Sequence, residues 1–471
     1  MSKKKGGGKG AGKGNRKGAD FGSRYGKPST DMGADFAVPC VCGELRGKRY
    51  RRSEVAKTLR EGFNFPVSVY AMDTPGEVLN VRGIGVDDGD PDFQVRPITE
   101  TWMVQPWNDP PMGLVLCEVL DADGCPHVMG PRAVLQNILS AFTRATGLRV
   151  MAAFELEYYL LSGKRGRDGG AVLYSPRPAN ERETATETYG LAPLLPNNAN
   201  VLIDEWLERT GLPLAALTHE ASAGQYEINL DAVPDAIRAA DESSLLRHGI
   251  ACAASALGGY ASFCPKPFAD RPGSGLQLNI SLLDSRGRNV FVPNGDSDGD
   301  GDSNSKMSRI MRQSLAGMLH YMPDAMLIYS PHQNAYRRHV PGQFAPTDAF
   351  WDADNRNAAL RVPVARSAKE TRIEHRLAAA DASPYLVTAA ILVSIALGLE
   401  SEMELPRARS GRALPHTFPR AWLTAKRSRD FRRRFNEWSG GDYFDFYAEL
   451  KEAEYNRFMS EPQKREWEWY L

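Results

Sequence analysis

The sequence predicts an α+β protein in which a small strand-rich unit precedes a larger one, and three observations carry that reading. Between Asp35 and about Gly130, short apolar runs alternate with turn signals such as Asp73-Thr-Pro-Gly76 and Asp121-Ala-Asp-Gly124, the punctuation of a sheet. From Pro131 to Thr146, Val134, Leu135, Ile138, Leu139 and Phe142 recur at helical spacing among Arg132, Asn137 and Arg144, so a helix opens the larger unit. From Arg149 onward, strand-like segments are separated by helix-like ones without a repeat of fixed period, which is an α+β pattern. The divisions predicted are a disordered tail over 1–33, a strand-rich domain over 34–130 and a large domain over 131–471.

Taken in order, the stretch from Ser2 to about Gly22 is almost all Lys, Gly and Arg with no apolar segment. It reads as a solvated basic tail rather than a signal peptide, with polyanion binding as the alternative. Over the whole chain of 471 residues, 58 Lys and Arg balance 58 Asp and Glu. No net field steers the molecule to nucleic acid or to a membrane surface. Cys40, Cys42, Cys117, Cys125, Cys252 and Cys264 form no CxxC pair, which argues for reduced thiols in a cytoplasmic protein; Cys40 and Cys42 read as two positions on a strand. Within Asn294 to Ser305, Asp296, Asp298, Asp300 and Gly301 begin like a calcium loop, but the twelfth position counted from Asp296 is Met307 where such a loop needs a bidentate Glu, so it reads as a plain loop. Pro384 to Leu399 is the one apolar stretch that resembles a membrane span; with the Ser383-Pro384 start it fits a buried helix better. From Lys426, Arg429, Arg432, Arg433 and Arg434 beside Phe431 and Phe435 predict a solvated amphipathic helix pair.

Chemistry concentrates on four predicted strands. Alternation along Phe154-Glu-Leu-Glu-Tyr-Tyr-Leu-Leu161 puts Glu155 and Glu157 on one face and Phe154, Leu156 and Tyr158 on the other. Two carboxylates about 7 Å apart on an apolar strand repel unless a cation lies between them, and oxygen donors suit Mg²⁺ or Mn²⁺; an exposed edge face is the alternative. Gln225, Glu227 and Asn229 share a face of a second strand, with Glu220 ahead of the Gly224 turn. Gln277, Asn279 and Ser281 share a face of a third, after Gly273-Ser-Gly275; a half-solvated strand would read the same way. Arg372, Glu374 and Arg376 align on the fourth, with Arg356 and Arg361 just ahead. Guanidinium forks bind phosphoryl oxygens bidentately, so arginines beside carboxylates are the equipment of phosphoryl transfer, although surface ion pairs remain an alternative for that stretch alone. There is no GxxxxGK[ST], so a nucleotide would be held by another architecture.

These segments, with HEASAGQYE at His219, KPF…GSG from Lys266, NAYRRHVPG from Asn334, DNRNAALRVP from Asp354, RIEHR from Arg372, PRAVL at Pro131 and the ending WEWYL, resemble the glutamine synthetase family over roughly Asp35 to Leu471. The resemblance implies a small N-terminal β-grasp domain and a large catalytic domain whose antiparallel strands form a funnel flanked by helices, assembled into homo-oligomeric rings with sites between subunits. It implies that Glu157, Glu220 and Glu227 hold a divalent cation near the glutamate substrate, and that Glu155 and Glu374, with Gln277, face a second at the phosphates. Arg338 resembles the arginine that grips the glutamate α-carboxylate. The resemblance also implies that Arg376 and Gly273 lie on the substrate side, that Arg356 and Arg361 face the transferred phosphoryl group, and that Arg372, Ser281 and Asn279 face the nucleotide. The implied reaction uses ATP and two or more Mg²⁺ or Mn²⁺ to form γ-glutamyl phosphate, which an unprotonated amine then attacks.

Two departures stand out. The family's GSG-x-H-x-H is Gly273-Ser-Gly-Leu-Gln-Leu-Asn279 here, so Gln277 replaces the usual second-metal histidine; an amide oxygen still suits a hard ion, and altered affinity is the expectation. After Pro341-Gly342, ammonia-using members carry a glutamate that accepts the ammonium proton, but this chain has Gln343-Phe344-Ala-Pro346. Phe344 is no base, yet it can pack on the carbon chain of a larger amine, and here the stretch resembles the γ-glutamylpolyamine and γ-glutamylputrescine synthetase branch. An aspartate for ammonium is also not recognisable around Val81-Arg-Gly83. The leading expectation is therefore a glutamate-amine ligase. Ammonia ligation, a catalytically weakened homologue acting as a binding or regulatory ring, and nucleic-acid binding through the tail are the alternatives.

Overall fold

In the computed structural model, residues 27–85, 87, 89–164, 188–191, 194, 198–293 and 307–462 are described. The basic tail up to residue 26, the acidic loop over 294–306 and the closing WEWYL lie outside the described residues.

β1 (Ala34–Pro39) and β2 (Leu45–Tyr50) form an antiparallel hairpin. Its turn is closed by Cys40 N donating to Glu44 O at 2.9 Å and Gly43 N to Cys40 O at 3.1 Å. Cys40 and Cys42 therefore occupy a turn and not a strand. Both side chains are nonetheless buried, because the turn tucks under the C-terminal helix, where Lys451 Nζ donates to Cys42 Sγ at 3.5 Å. α1 (Arg52–Glu61), β3 (Phe63–Pro66), β4 (Asp92–Pro97), β5 (Met103–Gln105) and β6 (Met112–Val119) complete a six-stranded sheet of order β2-β1-β6-β4-β3, with β5 on β6. β1 and β6 run parallel. α1 has no counterpart in the sequence reading, since it fully buries only Val55 and Thr58, with Leu59 half-buried beside them, too thin a stripe to show as helical periodicity. Both turn signals are turns: Asp73 Oδ1 accepts from the amides of Gly76 and Glu77 at 2.9 and 2.8 Å, and Gly124 N donates to Asp121 O at 2.9 Å.

α2 (Pro131–Thr146) runs over the predicted residues, with Pro131 pre-set for a first turn and Gly147, at φ 70°, ending it in the left-handed region. Then follow β7 (Arg149–Ser162), α3 (Ala199–Glu208), β8 (Leu214–His219), β9 (Gln225–Leu230), α4 (Ala236–Ala256), β10 (Gly259–Ser262) and β11 (Leu276–Leu283). After them come α5 (Arg309–Tyr321), α6 (Met326–Tyr329), β12 (Asp348–Ala349), β13 (Trp351–Ala353), β14 (Leu360–Val362), β15 (Ile373–His375) and α7 (Pro384–Glu400). β16 (Arg412–Ala413), α8 (Phe418–Arg427), α9 (Asp430–Ser439) and α10 (Tyr443–Ser460) close the described chain. The large sheet has the order β13-β14-β15-β11-β7-β9-β8, with β10 also on β7, while β12 and β16 pair separately. All its pairs are antiparallel except β13 with β14, a departure from the all-antiparallel expectation.

α7 is buried from Pro384 to Gly398, and among the described residues no helix is long and apolar enough to cross a membrane. The C-terminal pair corrects the sequence reading in part. α9 keeps arginines such as Arg433 in solvent, but Phe431 and Phe435 are fully buried, and so are Tyr443, Phe444, Phe446 and Tyr447 of α10. α10 packs on α8 and α9, so its first turns are covered where solvation was expected.

Candidate active site

In-register neighbours on antiparallel strands point to the same face, and that rule assembles one polar surface from the four predicted strands. Glu157 on β7 lies opposite Glu227 on β9, and Glu155 opposite both Asn229 on β9 and Gln277 on β11. Asn279 on β11 lies opposite Glu374 on β15, which in turn lies opposite Arg361 on β14. The alternate residues Phe154, Leu156, Tyr158, Leu278 and Ile373 are fully buried on the other face, where α4 packs against β7. Apolar burial therefore fixes the register, and a slip of one residue would turn every carboxylate into the core. Glu220 joins from the β8–β9 hairpin, where its N–H donates to Gln225 O at 2.9 Å and Gly224 turns at φ 73°.

The two side chains that depart from the family pattern act as bridges. Gln277 Oε1 accepts from Arg376 Nη1 at 2.6 Å, and its Nε2 donates to Glu157 Oε1 at 2.8 Å and Glu227 Oε2 at 3.3 Å. Asn279 Oδ1 accepts from Arg372 Nε at 2.7 Å, and its Nδ2 donates to Glu155 Oε1 at 2.7 Å. A guanidinium only donates and an ionised carboxylate only accepts, so both amide orientations are dictated by their partners. The oxygen of Gln277, expected toward a metal, faces Arg376 instead. Glu374 is occupied on both oxygens, by Arg376 on Oε1 and by Arg361 Nη1 on Oε2 at 2.7 Å.

Charge balance divides the surface. Burial raises the Glu227 carboxyl well above the usual range, and repulsion from Glu155, Glu157 and Glu220 raises it further. Burial and then Glu157 push Glu220 up to about 7. Glu155 is also raised, by burial and then by Glu374, against the pull of Asn279, Arg376 and Arg372. Among the described residues, no group of three His, Cys, Asp or Glu side chains stands ready-arranged to hold a metal ion. The all-oxygen set of Glu157, Glu220 and Glu227 nonetheless fits a hard cation by donor chemistry and by its unbalanced negative charge. NH donors reach the carboxylates throughout the surface: both oxygens of Glu374 and one of Glu155 accept them, and so do both oxygens of Glu157, from Gly275 N and Gln277 Nε2 at 2.8 Å each, and of Glu227, from Asn229 Nδ2 at 3.1 Å and Gln277 Nε2 at 3.3 Å.

Arg338 ends a one-turn 3₁₀ helix and is 4% exposed. Its Nη1 donates to Leu377 O at 2.9 Å and its Nη2 to Arg376 O at 3.1 Å. Its side chain crosses Gly273 and Gly275 so closely that a Cβ on them would fall 2.7 Å from Arg338 Cγ and 2.4 Å from Nη2 respectively. At Gly273 the backbone oxygen of Pro265 would lie still nearer, 2.4 Å from a Cβ, so glycine is required there by backbone and side chain together. Arg356 is exposed; its backbone oxygen accepts from Arg376 Nε at 3.1 Å, and its charge pulls the Glu220 carboxyl down against the burial that raises it. Ser281 Oγ is committed to Thr371 O at 2.8 Å, a tie between β11 and the approach to β15.

Three participants carried no role in the sequence reading. Asp354 pairs with Arg361; its place at the head of DNRNAALRVP was the available signal. Lys266, the first residue of KPF, is buried and donates from Nζ to Arg271 O and to Gln343 Oε1. It thereby ties the loop of Pro341 to Pro346 to the segment that leads into Gly273. His339 fastens the other end of that loop, with Nδ1 on Pro346 O at 2.8 Å and Nε2 on Ser330 Oγ at 3.1 Å. Between the two ties, Phe344 stands at φ 53° and 57% exposed.

With this geometry in hand, comparison with known proteins is specific. The family described as glutamine synthetase, catalytic domain, matches residues 128–470. The chain is 35% identical to gamma-glutamylputrescine synthetase of Escherichia coli (strain K12) over 389 residues, 82% of this chain and 79% of that protein. It is 28% identical to type-1 glutamine synthetase 2 of Dictyostelium discoideum over 445 residues, 92% of this chain and 82% of that one. A solved structure of a GmaS/ADP complex shares the fold, with TM-score 0.76 over 94% of this chain and 97% of that chain at 21% identity.

Proposed function

The chain belongs to the glutamine synthetase family, and from that premise we propose that it joins the γ-carboxyl of glutamate to a primary amine of the putrescine or polyamine kind, with ATP and through γ-glutamyl phosphate. The observation that carries the choice of amine is Phe344: the loop tied down by Lys266 and His339 presents an exposed aromatic ring where ammonia-using members carry a carboxylate. A ring cannot accept the ammonium proton, as a carboxylate can, but covers methylene groups well. The similarity to a gamma-glutamylputrescine synthetase supports the same reading.

In this proposal Arg338, held by backbone carbonyls, offers its remaining N–H donors to the α-carboxylate of glutamate. Arg356 and Arg361 stabilise the charge of the phosphoryl group in transfer, and Arg372 with Asn279 and Ser281 lies on the nucleotide side. Arg376, fixed by Gln277 and Glu374, orients the glutamate side with Gly273. Glu157, Glu220 and Glu227 would hold Mg²⁺ or Mn²⁺. That ion, when bound, lowers the repulsion between the substrate carboxylate and the nucleotide phosphates.

The same proposal takes residues 34–130 as a β-grasp domain, supported by the parallel β1–β6 centre of its sheet and by α1, and residues 131–471 as the catalytic domain whose curled sheet forms the funnel. It takes the protein as cytoplasmic, and as a homo-oligomeric ring with sites between subunits. The test is phosphate release from ATP with glutamate and Mg²⁺ or Mn²⁺ across ammonia, putrescine, spermidine and small monoamines. Turnover is expected with a diamine or polyamine and weak with ammonia. Turnover with ammonia alone would make the protein a glutamine synthetase, and none with any amine would leave a binding or regulatory homologue.

A further inference from the structure

The segment from Arg376 to Ala382, between β15 and α7, is gripped by two buried guanidinium groups. One belongs to Arg338. We propose that the other, Arg247 of α4, is a positioning residue for glutamate binding: held to the strand-rich unit, it fixes the carbonyls that aim Arg338. This rests on the reading of Arg338 as the arginine that takes the α-carboxylate of glutamate, and it does not depend on which amine is used.

The carbonyls along the segment divide between the two arginines in order. Arg338 donates to Arg376 O at 3.1 Å, Leu377 O at 2.9 Å and Ala378 O at 3.4 Å. Arg247 donates to Ala380 O at 2.8 Å, Asp381 O at 3.3 Å and Ala382 O at 2.6 Å. Between the two sets, Ala379 O accepts from Ala382 N at 2.9 Å. A chain that turns in this way leaves most of its carbonyls outside any ladder, and a guanidinium with five N–H donors can satisfy several at once. The same carbonyl row holds Arg338, whose Nη1 and Nη2 are both committed to it, so a small shift of the row re-aims the N–H groups left for a ligand. The amides of the segment have their own partners: Ala379 N donates to Tyr329 O at 2.8 Å and Ala380 N to Ser274 O at 3.2 Å. The path of the chain therefore survives the loss of Arg247, and the aim of Arg338 is what changes.

Arg247 is 3% exposed, and its fourth bond goes to Gly43 O in the β1–β2 turn at 3.2 Å. All four bonds end on backbone oxygens. Burial works against its charge, and the nearby charges of Glu44 and Asp381 oppose that. A neutral donor would satisfy one carbonyl at lower cost; the fork adds a single rigid plane that sets three carbonyls and Gly43 relative to one another. Gly43 is fitted to that plane. It stands at φ 78°, and a Cβ on it would fall 2.4 Å from Arg247 Nη1. Asp381 is also held through its side chain by His332, on the approach to the 3₁₀ turn that ends in Arg338, so Arg338 is tied to the segment by its chain neighbours as well as by its guanidinium.

Binding decides the matter without any turnover. Glutamate and ADP are titrated separately, by calorimetry, into the full chain with Mg²⁺. Arg247→Met, which keeps the apolar stem, should raise Kd for glutamate about tenfold and leave Kd for ADP within about twofold, the mark of one misaimed charge-assisted hydrogen bond. Arg247→Lys should recover part of that loss, because one ammonium reaches fewer of the carbonyls. Gly43→Ala, in the strand-rich unit, should push the guanidinium aside and weaken glutamate about threefold or more. Gly124→Ala, at φ 80° with nothing within 4 Å of a Cβ, carries a like backbone strain and should leave glutamate binding unchanged. Should Arg247→Met fail to fold, the two glycine variants decide alone. Equal weakening of glutamate and ADP in Arg247→Met, or equal effects of Gly43→Ala and Gly124→Ala on glutamate, would overturn the inference. Arg338→Lys separates it from the reading beneath it. If Arg338→Lys binds glutamate as the unaltered chain does, both fall; if Arg338→Lys weakens glutamate and Arg247→Met does not, the inference alone falls.

Discussion

Arg132 of α2 is enclosed by Glu118 of β6 and Asp241 of α4. Its Nη1 meets Glu118, its Nε and Nη2 meet the two oxygens of Asp241 at 2.9 and 3.0 Å, and Tyr385 OH of α7 donates to Asp241 at 2.8 Å. The face of the large sheet gathers the same residue types under comparable burial, yet ends differently. Around Arg132 every carboxylate is matched from within the chain, and the cluster clamps the strand-rich unit to α2, α4 and α7. On the sheet, Glu157, Glu220 and Glu227 are concentrated beyond what the neighbouring arginines balance. Burying charge is costly, and a chain recovers that cost either from its own partners or from a ligand; the first solution makes structure and the second makes a site.

Substitutions should therefore have opposite signs in the two places. The largest expected effect is Arg132→Met, which leaves Asp241 with only the Tyr385 hydroxyl and Glu118 with only Arg96 at 3.5 Å and should cost about 3–5 kcal/mol in urea unfolding. A loss under about 1 kcal/mol would break the comparison. Glu227→Gln removes a like charge directly opposite Glu157 and should stabilise the metal-free chain by roughly 0.2–1 kcal/mol. The same change should lower ligase turnover about 100-fold or more. A Glu227→Gln chain that unfolds more easily while keeping its activity would place this carboxylate with the structural set.

Much of this contrast was legible in the sequence, and the limit is physical. Period-two alternation in FELE, QYEINL and QLNISL gave strand faces, because apolar burial decides which side chains point inward. Helical periodicity gave α2 to the residue, and the apolar run after Ser383 gave α7. What alternation cannot give is the partner across a ladder, and so neither the Gln277 bridge to Arg376 nor the capping of Glu374 by two arginines was visible. Cys40 and Cys42 were misplaced for a related reason: burial in a turn and burial on a strand leave the same apolar composition. Lys266 stayed without a role because its acceptors, Arg271 O and Gln343, come from segments whose approach only the fold defines.

The apolar face of the sheet supplies a third case, in which a titratable group is buried uncharged. His375 lies opposite Leu278 and Leu360, its ring 4.5 Å from that of Tyr329. Burial, with the nearby Arg338 charge, lowers its pKa from 6.5 to about 3. The folded ring then stays neutral while the unfolded one takes up a proton near pH 6.5, so the unfolded state binds more protons between those values and stability falls as pH drops below 6.5. The slope is at most about 1.4 kcal/mol per pH unit for this one group. In His375→Phe, which keeps an aromatic ring beside Tyr329, that part of the pH dependence of unfolding between pH 6.5 and 4 should vanish. An unchanged slope would mean that the folded ring accepts a proton as readily as the unfolded one.

The smallest effect should come from the tie that holds Phe344. Burial lowers the pKa of the Lys266 amine, and both acceptors of its Nζ, a backbone carbonyl and the Gln343 amide, are uncharged. Lys266 feels the charge of Asp270 but is not hydrogen-bonded to a carboxylate, as Arg132 is, nor left for a ligand, as Glu227 is; it positions a loop. Lys266→Met keeps the apolar stem and removes the tie, so the loop of Pro341 to Pro346 should loosen around its remaining anchor at His339. Arg338 and the carboxylate face keep their own partners. KM for the amine should then rise roughly 3–10-fold, with KM for glutamate nearly unchanged, the mark of a lost contact on one substrate only. An equal rise in both KM values would show that Lys266 braces the whole surface through Gly273. No rise in either would show that Phe344 lies outside the amine's path, and the preference for a carbon-rich amine would then have to come from another wall of the site.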